Sequence, residues 1–437
     1  MVRLKATPRL VSCNYHTKMN IYPPTEVTVI TPALSTLLDT PWMKCHLYNL
    51  GADLLRLKSY RKFNHLLFFG GAGVIKAVVH DITTFIRKEV SNKSEVALQI
   101  RDLLFLTSNS SLPEQELTSC WSKIGINKLL YIIPGYLQLL DKEFDFDLFL
   151  DKVIDIYMNK RNLTICSGPS LTCQDSHILS LFLDYVENVV INDQILFGTG
   201  ERYINLTQTK GNKIVLPSLP KIHNKKLLVK ALMHKESYRA LLKPEHSLAK
   251  ELTVLGFDLD HKNYNVLRYE LSFLDGLGDF FLAHESSKLL YDVYGAGGIM
   301  HTHIYNLLKV ILATNTLLCK LTVEYNLHRG LKDSILNETI HSEYVPNVLF
   351  GLPHPTMTEN ETRVYEEEFL GDYFESYVGA LFLEQPAVAT KFVGEIYHSV
   401  LNLITKTLPP DVSYDIWTTS IIGRSLALKK KRKMSRS

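Results

Sequence analysis

Four acidic residues in two short segments carry the most specific chemistry in this chain. The first segment is LSFLDGLGDFFL, residues 271–282, with Asp275 and Asp279 four positions apart. On a helix that spacing sets both carboxylates on one side, one turn above the other. Leu271, Leu274, Leu277 and Phe281 share the neighbouring apolar face. The second segment is EFLGDYFESYVGALFLE, residues 368–384, where Asp372 and Glu375 lie three apart. They stand opposite an apolar stripe of Leu370, Phe374, Tyr377, Val378 and Leu381. An isolated acidic pair is ordinarily a solvated helix face. Two such faces brought together make four carboxylates converge, which calls for cations. Hard oxygen ligands suit magnesium, with manganese as a substitute. Two-ion hydrolysis of a phosphodiester uses this arrangement, one ion activating a water and the other stabilising the leaving oxygen.

Those segments need rigid elements behind them. Gly276 and Gly278 each cost about 1 kcal/mol in a helix interior relative to alanine, so their presence implies a close approach by another element. The fold class expected is all-α. Residues 1–30 read as an irregular basic arm, with Arg3, Lys5, Arg9 and Lys18 and no acid before Glu26. Residues 31–205 read as a helical N-terminal domain. Within it Leu130, Ile133, Leu137 and Leu140 recur at helical spacing, and Pro134 is expected to kink or break the run. Residues 206–222 read as a polar linker with Pro217 and Pro220. Residues 223–408 form a second helical block, closed by Pro409-Pro410, and 409–437 a short extension with a basic tail.

The acidic segments resemble the two signatures of the ribonuclease III family. Residues 271–282 are similar to its E-x-x-L-G-D core; Asp275 stands in the place of the metal-binding glutamate and Asp279 in that of the aspartate. Residues 371–384 resemble the second motif, D-x-F-E-A-x-x-G-A, with Asp372, Phe374, Glu375, Gly379 and Ala380 matching. LLVKALMHKESYR, residues 227–239, is similar to the family's opening helix. LLKVILATNTLL, residues 307–318, resembles the helix between the motifs; Asn315 and Leu318 match, and Lys309 stands where an arginine is usual.

The resemblance implies a helical endonuclease domain in 223–408 that dimerises, either with itself or with a related chain. It implies a magnesium-dependent cut in double-stranded or structured RNA. Asp275, Asp279, Asp372 and Glu375 would hold metal, Asp279 and Glu375 would be catalytic, and Lys309 would contact RNA. Duplex RNA would be recognised by shape, through phosphates and 2′-hydroxyls.

Several positions depart from the pattern. Asp275 is one methylene shorter than the family glutamate. Ser272 replaces an acid that helps the dimer lock, and Phe280 is bulky at a small-residue position. The gap between the motifs implies an insertion around 326–365. No stretch after 410 has the length of a double-stranded RNA-binding domain. The order of parts resembles fungal members of the family, the nuclear enzyme and the Dicer of budding yeast. The departures resemble instead the non-catalytic scaffolds with this fold in the mitochondrial large ribosomal subunit, which is the alternative function.

Composition sets the remaining bounds. A net charge of +3 over 437 residues rules out an argument for nucleic-acid binding from overall charge. The local exception is the tail Lys429, Lys430, Lys431, Arg432, Lys433, read as an RNA-gripping or nuclear-import segment. The acid-free N-terminus is compatible with mitochondrial targeting instead. Six cysteines include no CxxC pair, so reduced thiols are expected and no zinc. No apolar run reaches the length of a membrane span. Gly70-Gly71-Ala72-Gly73 lacks the strand–helix context of a phosphate loop, and His301 and His303 lack partners at metal-ligand spacing.

Overall fold

The computed structural model describes residues 34–39, 41–62, 95–107, 119–120, 124, 126–140, 142, 144–161, 172–205, 213–294 and 302–407. The basic arm, the glycine run at 70–73, His301 and the tail at 429–433 lie outside them. The chain divides into two compact units, one of residues 1–170 with 283–309, the other of 171–282 with 310–437.

The first unit is built from helices α1 (Pro41–Lys62), α2 (Glu95–Thr107), α3 (Ile126–Leu139) and α4 (Phe146–Arg161). α3 continues through Pro134 rather than ending there. The proline is held by packing: Leu130, Ile133, Leu137 and Leu140 are buried, and the next residue, Gly135, touches α1. A Cβ on Gly135 would fall 2.3 Å from the Leu47 carbonyl oxygen, and one on Gly51 would fall 1.7 Å from that of Tyr131. The two backbones are therefore in direct contact. Deeper in this unit Asp53, 3% exposed, accepts a hydrogen bond from Ser287 and pairs with the ammonium of Lys309.

The second unit opens with α5 (Cys173–Asn188), started by a reciprocal cap between Thr172 and Asp175. A two-stranded antiparallel hairpin follows, β1 (Tyr203–Asn205) and β2 (Lys213–Val215). The segment 206–222 is thus not simply a linker. Its described part, 213–222, supplies a strand and buries Ile214, Leu216, Leu219 and Ile222. The carbonyls of Pro217 and Pro220 accept hydrogen bonds from the buried tyrosines Tyr325 and Tyr377. Spaced apolar residues among lysines and prolines look like a loop in sequence, but here they line a core.

Next come α6 (Lys225–Ala231), α7 (Tyr238–Leu241), α8 (Ser247–Val254), α9 (Asn265–Tyr294), α10 (Thr302–Leu312) and α11 (Asn315–Tyr325). The last part of α9 and most of α10 belong to the first unit. Residues 326–365, where an insertion is expected, are folded. They include α12 (Ser334–Thr339) and a short helix, Pro346–Phe350, whose first amides donate to the buried carboxylate of Glu366.

α13 (Glu359–Glu384) is the central element of this unit. Thr358 and Glu361 cap its start reciprocally. Phe369, Leu370, Tyr373, Phe374, Tyr377, Val378 and Leu381 are all buried, so apolar residues surround much of its circumference. A helix of that kind must be enclosed, and α11 and α14 (Pro386–Thr407) flank it. Thr322 of α11 ties the pair together by donating to the Leu370 carbonyl. Among the described residues no helix is long and apolar enough to cross a membrane.

Candidate active site

α9 and α13 meet at their glycines. A Cβ on Gly379 would lie 2.3 Å from the Leu274 carbonyl oxygen and 3.0 Å from the Gly278 amide. Only hydrogen fits at such a crossing. Leu271, Leu274, Leu277 and Phe281 bury the apolar face of α9, and Phe281 stacks on Phe382 of α13 at 4.6 Å. This packing fixes the rotation of both helices and brings the acidic residues of each toward the other.

The four expected carboxylates differ in exposure. Asp275 is 4% exposed, Asp372 and Glu375 are partly buried, and Asp279 is exposed. Glu375 registers the crowd. Burial first, then the charges of Asp279, Asp372 and Asp275, push its carboxyl well above the ordinary range, against a smaller pull from Lys235. Among the described residues no three acidic, histidine or cysteine side chains are drawn close enough to hold one ion.

A lysine is interposed. His234 and Lys235 lie in the turn between α6 and α7. The Lys235 ammonium donates to Asp275 Oδ2 and, at 2.6 Å, to Asp372 Oδ2. His234 Nε2 donates to the same Asp372 oxygen at 3.0 Å. The direction follows from the other ring nitrogen, Nδ1, which accepts from the Glu236 amide and so leaves the proton on Nε2. Burial would raise the Asp372 carboxyl, but His234 and then Lys235 outweigh it and hold it down to about 2. Burial would lower the Lys235 ammonium; Asp275 and Asp372 reverse that and keep it charged.

The turn that presents this lysine is pinned. Ser237 Oγ donates to the His234 carbonyl, Tyr344 to the Glu236 carbonyl, and Arg268 to the Glu236 carboxylate. The His234 ring packs on Phe369 at 3.9 Å. Neither His234 nor Lys235 stood out as a site residue in the sequence. The available signal was the match of LLVKALMHKESYR to the family's opening helix, which is really a helix ending at Ala231, a turn, and a second helix.

The donor set fits a hard divalent cation. It is all oxygen, it carries an excess of negative charge, and Asp275 Oδ1 is buried with no hydrogen-bond partner. Asp275, Asp279, Asp372 and Glu375 are the residues that would hold such an ion. Lys309 has a different setting. Its side chain is 17% exposed and its ammonium is engaged with Asp53 in the first unit.

Comparison with known families gives one match. Residues 272–386 match the family model of the ribonuclease III domain. Neither the curated proteins nor the solved structures gave a match. That segment holds both acidic helices and the glycine crossing between them, and over these residues the chain carries a ribonuclease III domain.

Proposed function

We propose that this chain is a divalent-metal-dependent endoribonuclease that cuts double-stranded or structured RNA during RNA processing. The observation that carries the proposal is the ribonuclease III domain at residues 272–386, in which α9 and α13 cross at Gly278 and Gly379 and carry Asp275, Asp279, Asp372 and Glu375. Four carboxylates on two helices in backbone contact call for cations. Magnesium, or manganese, would supply the activated water and the counter-charge for the leaving oxygen. The protein's own part is positioning. Asp279 and Glu375 face the reacting phosphodiester, Asp275 offers its unpartnered oxygen, and His234 orients Asp372. Domains of this family bind double-stranded RNA and commonly dimerise, so a second copy, or a related chain, would complete the surface that takes the duplex. The tail at 429–433 would add phosphate contacts and would direct the protein to the nucleus.

The test is cleavage of long double-stranded RNA by the purified full chain with magnesium, repeated with EDTA. Shortening of the duplex with magnesium and none with EDTA is expected. No cleavage of any duplex with either magnesium or manganese would overturn the proposal.

One observation favours a second reading. Lys235 already supplies a positive charge between Asp275 and Asp372. A site partly neutralised from within suits a non-catalytic scaffold with this fold, such as one in a mitochondrial large ribosomal subunit. Tight binding of structured RNA without cleavage, indifferent to EDTA, would support it.

A further inference from the structure

Lys235 stands where the carboxylates of two separate helices meet. Its ammonium is shared by Asp275 Oδ2 of α9 and Asp372 Oδ2 of α13. Those are two of the four groups expected to hold metal. The lysine arrives on a pinned turn, so it is delivered to this point by the fold and is not a wandering surface chain. It also keeps a way out, since its side chain is 23% exposed while that of Asp275 is 5% exposed.

We propose that Lys235 is a tethered cation that competes with divalent metal for this site. The inference rests on the metal-site reading above and deepens it. With the ammonium in place, Asp275 and Asp372 are paired, and the other Asp275 oxygen stays buried without a partner. One positive charge does not balance four carboxylates. A divalent ion brings twice the charge and can engage the orphaned oxygen as well. To bind, it must turn the ammonium out to solvent. The ammonium is covalently attached, so its effective concentration at the site is high, on the order of millimolar or more for a short tether. The ion therefore binds more weakly than the same carboxylates alone would bind it. Lys235 sets a threshold of metal concentration below which the site remains closed by its own lysine.

The experiment measures ion binding directly, by manganese titration followed by electron paramagnetic resonance, on the full chain without RNA. Wild type, Lys235→Met, Lys235→Gln and Lys235→Met combined with Asp372→Asn are compared. Thermal unfolding with and without magnesium is recorded alongside.

The neutral variants should bind manganese about tenfold more tightly than wild type, or better, equivalent to ~1.4 kcal/mol. The Asp372→Asn combination should lose that gain. Without ion the neutral variants should melt below wild type, because Asp275 and Asp372 lose their partner, and magnesium should raise their midpoint more than that of wild type. Equal affinity in wild type and both neutral variants would overturn the competition while leaving the metal site standing. No binding in any variant would overturn both the competition and the metal-site reading. Failure of both neutral variants to fold, with or without ion, would make Lys235 a purely structural group and would also overturn the proposal.

Discussion

A β-carbon placed on Gly278 would lie 1.9 Å from the carbonyl oxygen of Glu375. The residue that lets α9 approach α13 thus touches the backbone of the residue at the centre of the acidic cluster. The approach and the site have one geometric cause. Gly278→Ala should force the helices apart, because the obstacle is backbone and cannot rotate away. Overpacking of this kind costs about 1–3 kcal/mol or more. A lowered unfolding midpoint should be accompanied by weaker manganese binding, since the carboxylates of α9 move with it. Wild-type melting of the Gly278→Ala variant would refute the close crossing.

Glu375→Gln should stabilise the ion-free protein at neutral pH. The folded-state carboxyl of Glu375 is raised above its ordinary value of 4.5. Its stabilising contribution is therefore complete below pH 4.5 and is lost as pH rises through the folded value. Glutamine does not ionise. The melting advantage of Glu375→Gln should be near zero at pH 4.5 and grow to about 2–4 °C above neutrality, the scale of ~1 kcal/mol in a unit of this size. Magnesium should shrink the difference by stabilising only the wild type. A difference that is flat with pH would contradict the charge crowding.

Asp279 is exposed and α9 is anchored by its opposite face. Asp279→Asn should leave the fold intact and reduce magnesium-dependent RNA cleavage about 100-fold or more. Circular dichroism and a duplex cleavage assay on the same preparation separate the two effects. Full activity in this variant would remove Asp279 from the catalytic set.

Acid should destabilise the fold through a buried histidine. His328 is 3% exposed, and burial, with His341 and Arg329 adding to it, lowers its folded value to about 3. Below its ordinary value of 6.5 the unfolded chain takes up a proton that the folded chain refuses. The stability contribution is complete above pH 6.5 and is lost as pH falls toward 3, at up to about 1.4 kcal/mol per pH unit for one proton. His328→Gln should flatten the fall of the unfolding midpoint between about pH 6.5 and 5. An unchanged slope would mean that His328 takes a proton in the native state.

Local pattern reaches only as far as local physics does. The helical period of Leu271, Leu274, Leu277 and Phe281, and that of Leu370, Phe374, Tyr377 and Leu381, determines two helices and the side on which each pair of acids stands. Gly278 likewise announces a close approach, because a helix keeps such a residue only where a side chain would not fit. Which neighbour approaches is a long-range fact. So is the burial of 213–222, where the apolar residues that looked like a linker's chance content find the tyrosines of α11 and α13. Pro134 is similar: its local cost is outweighed by packing that only the folded unit supplies. Lys235 is the sharpest case. Its partners are 40 and 137 positions away, and no spacing rule connects a turn lysine to carboxylates at that separation. Sequence determined the acids and the helices that carry them. Tertiary structure decided that a lysine stands among them, because Coulomb attraction acts through space and the chain must fold before those charges are neighbours.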